Sequence, residues 1–200
     1  MSKTKQIPNY NNEKLELQEN LATMIPKESL NVFITDSNLL ATEITCPLKV
    51  SVGDKAPLFE LPNALGKVVS LQKQLEKGPV VVTFYRGNWC PYCNLILNSY
   101  QRILPEIKTL GANLIAISPQ KPDSSLDMQE KHSLEFEVLS DTKNAVAKQY
   151  TTIIKNAIEA VDEAKKLGVD FYDFYDDDSR DIPVPAVFII ATNGRIVFAK

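Results

Sequence analysis

One histidine, one tryptophan, three methionines and three cysteines occur among the 200 residues, and each scarcity excludes something. Three cysteines are too few, and odd in number, for a secreted fold stapled by disulfides. Cys46, Cys90, Cys93 and His132 are the candidate zinc ligands, but they show no second paired spacing, so no metal or cofactor is expected. No apolar run approaches the ~20 residues needed to span a bilayer. The slightly basic start, Met1 to Gln6, has no apolar segment behind it, so neither a secretory leader nor a membrane partner is expected. A net charge of -3 leaves no basic footprint for nucleic acid. Repeats and low-complexity tracts are lacking. Sparse, unpaired cysteine points to a reducing compartment, and the cytoplasm is the expected location.

The remainder is ordinary globular composition, with 44% hydrophobic and 24% charged residues. That is enough chain for one domain with a core, over residues 50–200, and an N-terminal helical extension over residues 1–49. Met1 to Asn12 reads as a polar, frayed lead. Leu15, Leu17, Leu21 and Met24 fall near helical spacing, so a helix is expected from Glu13 to about Ile25, ended by Pro26. Lys27 to Leu40 is a second helical candidate. The extension carries no evident chemistry and is expected to pack on the main domain or on a partner subunit, a homodimer being one such arrangement.

In the main domain, Lys67 to Leu71 reads as a short strand feeding a helix from Ser70 to Glu76. Pro79 to Tyr85 is an unalternating β-branched and aromatic run, the pattern of a strand buried on both faces. A helix follows from Cys90, with Pro105 expected to kink it. Strands are expected at Asn113–Ser118, Phe136–Leu139 and Val187–Ile190, and a helix at Ser124–His132. Ser140-Asp141 reads as a helix cap, and a long helix is expected from Thr142 to about Leu167. Asn193-Gly194 turns a final hairpin into Arg195–Phe198. Alternation of β and α ending in a hairpin predicts an α/β fold of thioredoxin type, a central mixed β-sheet flanked by helices. That arrangement has a closing helix after the hairpin. The domain is expected either to lack it or to use the extension as cover.

Trp89-Cys90-Pro91-Tyr92-Cys93, directly after the buried strand, is the most informative segment. Two thiols one helical turn apart can open and close a small disulfide ring. At a helix start, unpaired N–H groups and the helix dipole stabilise a thiolate on Cys90. A thiolate attacks sulfur or a peroxide oxygen, so the segment implies redox chemistry. Arg86, four residues earlier, is a candidate for charge stabilisation beside the thiolate, while Trp89 and Tyr92 are candidates for the apolar rim.

Val52-Gly53-Asp54-Lys55-Ala56-Pro57-Leu58-Phe59, Thr83 to Cys93 and Leu139-Ser140-Asp141 resemble the alkyl hydroperoxide reductase/thiol-specific antioxidant superfamily, in particular its peroxiredoxin-like group carrying WCPYC. The resemblance spans about Val50 to Lys200. It implies a thioredoxin-like fold, Cys90 in the place of the peroxidatic cysteine and Cys93 as candidate resolving cysteine in a Cys90–Cys93 disulfide. It further implies a hydroperoxide substrate and recycling by thioredoxin or a similar dithiol. Three departures stand out. Thr83 occupies the usual proline position, and Gly87 occupies that of a Thr or Ser whose hydroxyl orients the peroxide. Pro185 stands where an arginine is usual, as in thioredoxins, which have a cis proline facing the CxxC.

Val184-Pro185 is accordingly the candidate cis bond, with Val184 offering its backbone to a docking sulfur or peptide; Ile182-Pro183 is the alternative. Cys46 reads as a small packing residue, with a backup resolving role as the minor reading. His132 reads as a surface histidine. Six aspartates between Asp170 and Asp181 lack EF-hand spacing and read as a solvated loop, and the interleaved Phe171, Tyr172, Phe174 and Tyr175 imply that it packs against something. Three readings follow: a thiol peroxidase, a thiol-disulfide oxidoreductase acting on protein disulfides, and a redox-sensing interaction module.

Overall fold

A computed structural model describes residues 9–43 and 45–200. Two helices come first, α1 (Tyr10–Met24) and α2 (Lys27–Glu43). Asn9 caps α1 by accepting from the N–H groups of Asn11 and Asn12, so the helix begins three residues earlier than its apolar spacing indicated. Residues 1–8 of the polar lead lie outside the described residues.

Next come β1 (Glu60–Pro62), β2 (Val68–Ser70), α3 (Leu71–Leu75), β3 (Val80–Phe84), α4 (Pro91–Thr109), β4 (Asn113–Ser118), α5 (Pro122–Lys131) and β5 (Glu137–Ser140). After them follow α6 (Ala147–Tyr150), β6 (Ile153–Lys155), α7 (Ile158–Lys166), β7 (Asp181–Pro183), β8 (Ala186–Ile190) and β9 (Ile196–Ala199). The central sheet has the order β5-β4-β3-β8-β9. β3, β4 and β5 run parallel, while β8 and β9 run antiparallel to their neighbours, which is the mixed sheet expected.

Strand β3 explains itself. Val80, Val82 and Phe84 face one layer, with Leu61, Leu71, Tyr150, Phe188 and Ile190. Val81 faces the other, under Leu97 and Leu104 of α4. Each fully buried leucine contributes about 1.5–3 kcal/mol. α4 runs unbroken through Pro105. Gly78 precedes β3 so closely that a Cβ there would lie 2.0 Å from the Gly111 carbonyl oxygen. Gly78→Ala must therefore push apart β3 and the α4–β4 turn, and chemical denaturation is expected to show a loss of about 1–3 kcal/mol.

The extension packs on its own domain. Glu13 of α1 accepts from both terminal nitrogens of Arg102 on α4, at 2.8 and 2.6 Å, and Ser29 of α2 donates to Glu163 of α7 at 2.7 Å. It does not cover β8–β9 on the side of α4, where Val187 and Ile189 are half-buried and Phe198 is exposed.

The expected long helix after Thr142 is broken. Lys143 and Asn144 take left-handed backbone angles, and the β-branched run Thr151 to Ile154 passes into β6, which pairs with β7. Asp141 heads the 3₁₀ turn Thr142–Asn144, and its carboxylate accepts from the N–H groups of Val146 and Ala147 at the start of α6. Between β6 and β7 the chain forms an insert with its own small core of Ile154, Val161, Phe171, Tyr175 and Ile182. The acidic stretch is therefore solvated on one side only. Phe171–Phe174 forms a 3₁₀ turn with Phe171 buried, while Asp170 pairs with Lys165 at 2.6 Å.

Candidate active site

Cys90 is the N-cap of α4, with Pro91 at the first helical position, where a missing N–H costs nothing. Its extended backbone (φ -88°, ψ 110°) carries the chain from the loop after β3 into the helix, and its carbonyl accepts from the N–H groups of Cys93 and Asn94. Both thiols are buried, Cys90 with 5% of its surface exposed and Cys93 with 3%. No disulfide joins them in this structure.

The two sulfurs are electrically distinct. A hydrogen bond from the Cys93 thiol is the largest influence on Cys90. With the Arg86 charge and the N–H groups of Cys93 and Tyr92 it outweighs burial and lowers the Cys90 thiol to about 7. The same hydrogen bond, then burial and the Cys90 charge, raise the Cys93 thiol well above its ordinary value. One thiolate, on Cys90, is thus stabilised by a proton kept on its neighbour. Arg86, whose charge acts on Cys90, has its Nε buried and without a hydrogen-bond partner among the described residues.

The loop from Arg86 to Trp89 is held from several sides. Tyr85 N–H bonds to Ile117 of β4 at 3.0 Å, and Cys90 N–H closes on Gly87 at 3.2 Å. Asn88 and the fully buried Gln120 exchange two hydrogen bonds, Asn88 N–H to Oε1 at 2.8 Å and Gln120 Nε2 to Oδ1 at 3.1 Å. Asn94 Nδ2 donates to the Asn88 carbonyl at 2.9 Å. From the insert, the Tyr175 hydroxyl donates to the Arg86 carbonyl at 2.8 Å and accepts from Trp89 Nε1 at 2.6 Å. Sequence reasoning missed Gln120, Asn88, Asn94 and Tyr175. Only the aromatic run containing Tyr175 gave a signal.

The extension also reaches the site. Tyr10, at the start of α1, is half-buried, and burial followed by the fields of Cys90, Cys93 and Tyr92 raises its phenol. Asp36 of α2 is raised by burial, with Arg86 opposing. The extension therefore lies within the electrostatic reach of the thiols and of Arg86.

The other sequence candidates divide. Trp89 and Tyr92 are half-buried, and Trp89 packs edge-on against Phe171 at 5.4 Å. Gly87 is buried beneath Trp89. Pro185 lies one residue beyond the Phe84–Ala186 pair, at the same end of the sheet as Cys90. The expected cis bond is not there: no cis peptide occurs among the described residues, at 184–185 or at 182–183. Val184 extends the β6–β7 ribbon instead. Its N–H donates to Thr152 at 2.8 Å and its carbonyl accepts from Thr151 Oγ1 at 3.0 Å, so neither is offered to a ligand. Cys46 is exposed rather than packed. His132 contacts Asn98 through Nδ1 at 3.1 Å, and among the described residues no cluster of metal-ligand type forms.

The sequence profile of the AhpC/TSA family matches residues 52–199. Peroxiredoxin Q of Oryza sativa subsp. japonica, a chloroplastic protein, is 36% identical over 102 residues, 51% of this chain and 46% of that one. Peroxiredoxin Q of Populus jackii is 34% identical over 102 residues, 51% of this chain and 47% of its own. The chain thus spans about half the length of these curated relatives. Among solved structures, peroxidoxin BcpB from Mycobacterium tuberculosis superposes with a TM-score of 0.61 at 22% identity, over 76% of this chain and 85% of that one. A cysteine-to-serine mutant of PrxQ from Xylella fastidiosa gives 0.58 at 18% identity, over 75% and 84%. At these identities the structural likeness speaks for the fold, which is that of thioredoxin-like peroxiredoxins.

Proposed function

Because the chain belongs to the AhpC/TSA family, we propose that it reduces hydrogen peroxide or alkyl hydroperoxides through the Cys90 thiolate, in the cytoplasm. The observation that carries this reading is the pairing of a Cys90 thiol lowered to about 7 with a protonated Cys93 one turn along α4. The Cys90 sulfur attacks one peroxide oxygen. An S–O bond forms as the O–O bond breaks, and the departing oxygen takes a proton to leave as water or alcohol. Arg86, whose charge acts on Cys90 and whose Nε is unpaired among the described residues, supports this reading as the group that meets the departing oxygen as its charge grows. Cys93 then loses its proton and attacks the Cys90 sulfenic acid, expelling water and closing the Cys90–Cys93 disulfide. Thioredoxin or a similar dithiol reduces that bond by exchange.

The protein-disulfide reading fares worse. Cys90 is 5% exposed, and the Val184 backbone that would pair with an incoming peptide is already engaged. Stopped-flow mixing of reduced protein with peroxide tests the proposal, with the product weighed for a Cys90–Cys93 link. A rate no faster than free cysteine at the same pH refutes it. The pH profile is a second check. Only the thiolate is nucleophilic, so the rate rises with pH and levels off with a midpoint of about 7. A profile still climbing at the ~8.5 of an ordinary thiol contradicts the assignment.

A further inference from the structure

We infer that Tyr175 is a positioning residue for the chemistry at Cys90, its hydroxyl closing the Arg86–Trp89 loop across Gly87. The inference rests on the thiol reading above and adds a residue that neither the motif nor the family resemblance singles out. The phenol uses both of its hydrogen-bonding functions on this loop. It gives its proton to the Arg86 carbonyl at 2.8 Å and takes the Trp89 indole proton at 2.6 Å. The two partners flank Gly87, and the residue after Trp89 is Cys90. The cross-link therefore fixes the backbone of the cation on one side and the approach to the helix N-cap on the other.

Gly87 is the matching half of the device. A Cβ at this position would meet Trp89 Nε1 at 2.6 Å, Trp89 Cδ1 at 2.9 Å and the Tyr175 hydroxyl at 3.0 Å. The space that a side chain at 87 would use is filled by the indole–phenol bond. A threonine or serine there would bring its own hydroxyl; here a hydroxyl arrives from the insert, far along the chain. The ring that carries it is independently held by Phe171, at 4.6 Å between centroids. Ring packing and hydrogen bonding are thus separable by mutation.

Tyr175→Phe keeps the ring and removes both bonds. The test follows alkylation of Cys90 by iodoacetamide against pH, read at the Cys90 peptide by mass, together with the peroxide rate. The midpoint is expected to move up from about 7, and Cys90 alkylation at pH 7 to slow about threefold or more, because the loop no longer holds Arg86 and the N-cap in register. Gly87→Ala is expected to act in the same direction through its clash with the Trp89 indole, and the two effects to fall short of multiplying because both substitutions loosen the same loop. A Tyr175→Phe protein that melts earlier but keeps the parental midpoint and rate overturns the inference, as do independent, multiplying effects of the two substitutions. If Tyr175→Phe does not fold, Trp89→Phe removes the indole donor while keeping an aromatic ring, and an unmoved midpoint there is equally fatal. Alkylation needs no peroxidase activity, so a parent protein slow towards peroxide would sink the proposed function while leaving this test readable.

Discussion

Cys90→Ser is expected to abolish peroxide consumption, and Cys93→Ala to allow one turnover and then stall. The first follows from the nucleophile. A serine hydroxyl at the α4 N-cap is not ionised near neutral pH, so the attack on the O–O bond has no initiator. The second has two parts. Without Cys93 nothing condenses with the Cys90 sulfenic acid, which then accumulates and is trapped by a sulfenic-acid reagent. The Cys93 thiol is also the largest influence holding the Cys90 thiol down to about 7. Its loss moves the midpoint upward, which lowers the thiolate fraction at pH 7 and restores it at pH 9. The single turnover of Cys93→Ala should therefore be slow at pH 7 and close to parental at pH 9. Equal first-turnover rates for parent and variant at pH 7 would show that Cys93 does not activate Cys90.

The same pair shows what the linear sequence carries and what it does not. Cys90 at a helix start, Cys93 one turn on, the doubly buried β3 and the closing hairpin are all local patterns, fixed by residues within a few positions of one another. The failures are long-range. Thr142 to Leu167 reads as one helix because Ala, Lys and Glu dominate it. The left-handed Lys143-Asn144 step and the pairing of Ile153–Lys155 with Asp181–Pro183 decide otherwise, and those partners lie about thirty residues apart. The proline context of Val184 is that of thioredoxin and points its backbone at a substrate, but Thr151 and Thr152, just ahead of β6, hydrogen-bond to that backbone. Gly87 reads as the loss of a function-bearing hydroxyl, and the volume beside it is filled from position 175. No window of sequence contains both residues.

Segments distant in sequence thus act on the two thiols and their loop. The insert fixes the loop from one side, α1 brings Tyr10 towards the sulfurs, and α2 brings Asp36 towards Arg86. Burial of this kind raises the pKa of a thiol when it acts alone. Here it is outweighed because the charge on Cys90 is met by a thiol proton, a guanidinium and two backbone N–H groups. The proposed preference for a small hydroperoxide over a protein disulfide rests on this burial, which the CxxC motif does not encode.

Phe188→Ala is expected to cost about 3–5 kcal/mol of folding stability, the largest single effect outside the thiols. Phe188 is fully buried at the middle of β8, opposite Val82 of β3. Its ring meets Tyr150 at 5.1 Å and Phe84 at 6.1 Å, both edge-on, and Tyr150 lies 5.1 Å from Phe84, so the three aromatic rings form one cluster. Truncation leaves a cavity that neither fixed neighbour can fill, and thermal unfolding should begin roughly 6–20 °C lower. Phe198→Ala, on the adjacent strand but with its ring 42% exposed, should cost about 1 kcal/mol or less. Phe188 belongs to the layer opposite α4, in a cluster separate from that of Cys90 and Cys93. Below its melting range the Phe188→Ala protein should therefore keep the parental Cys90 midpoint. A shift of that midpoint would mean that the sheet transmits packing strain to the helix cap, and that the thiol is tuned by the whole core rather than by the loop and its neighbours.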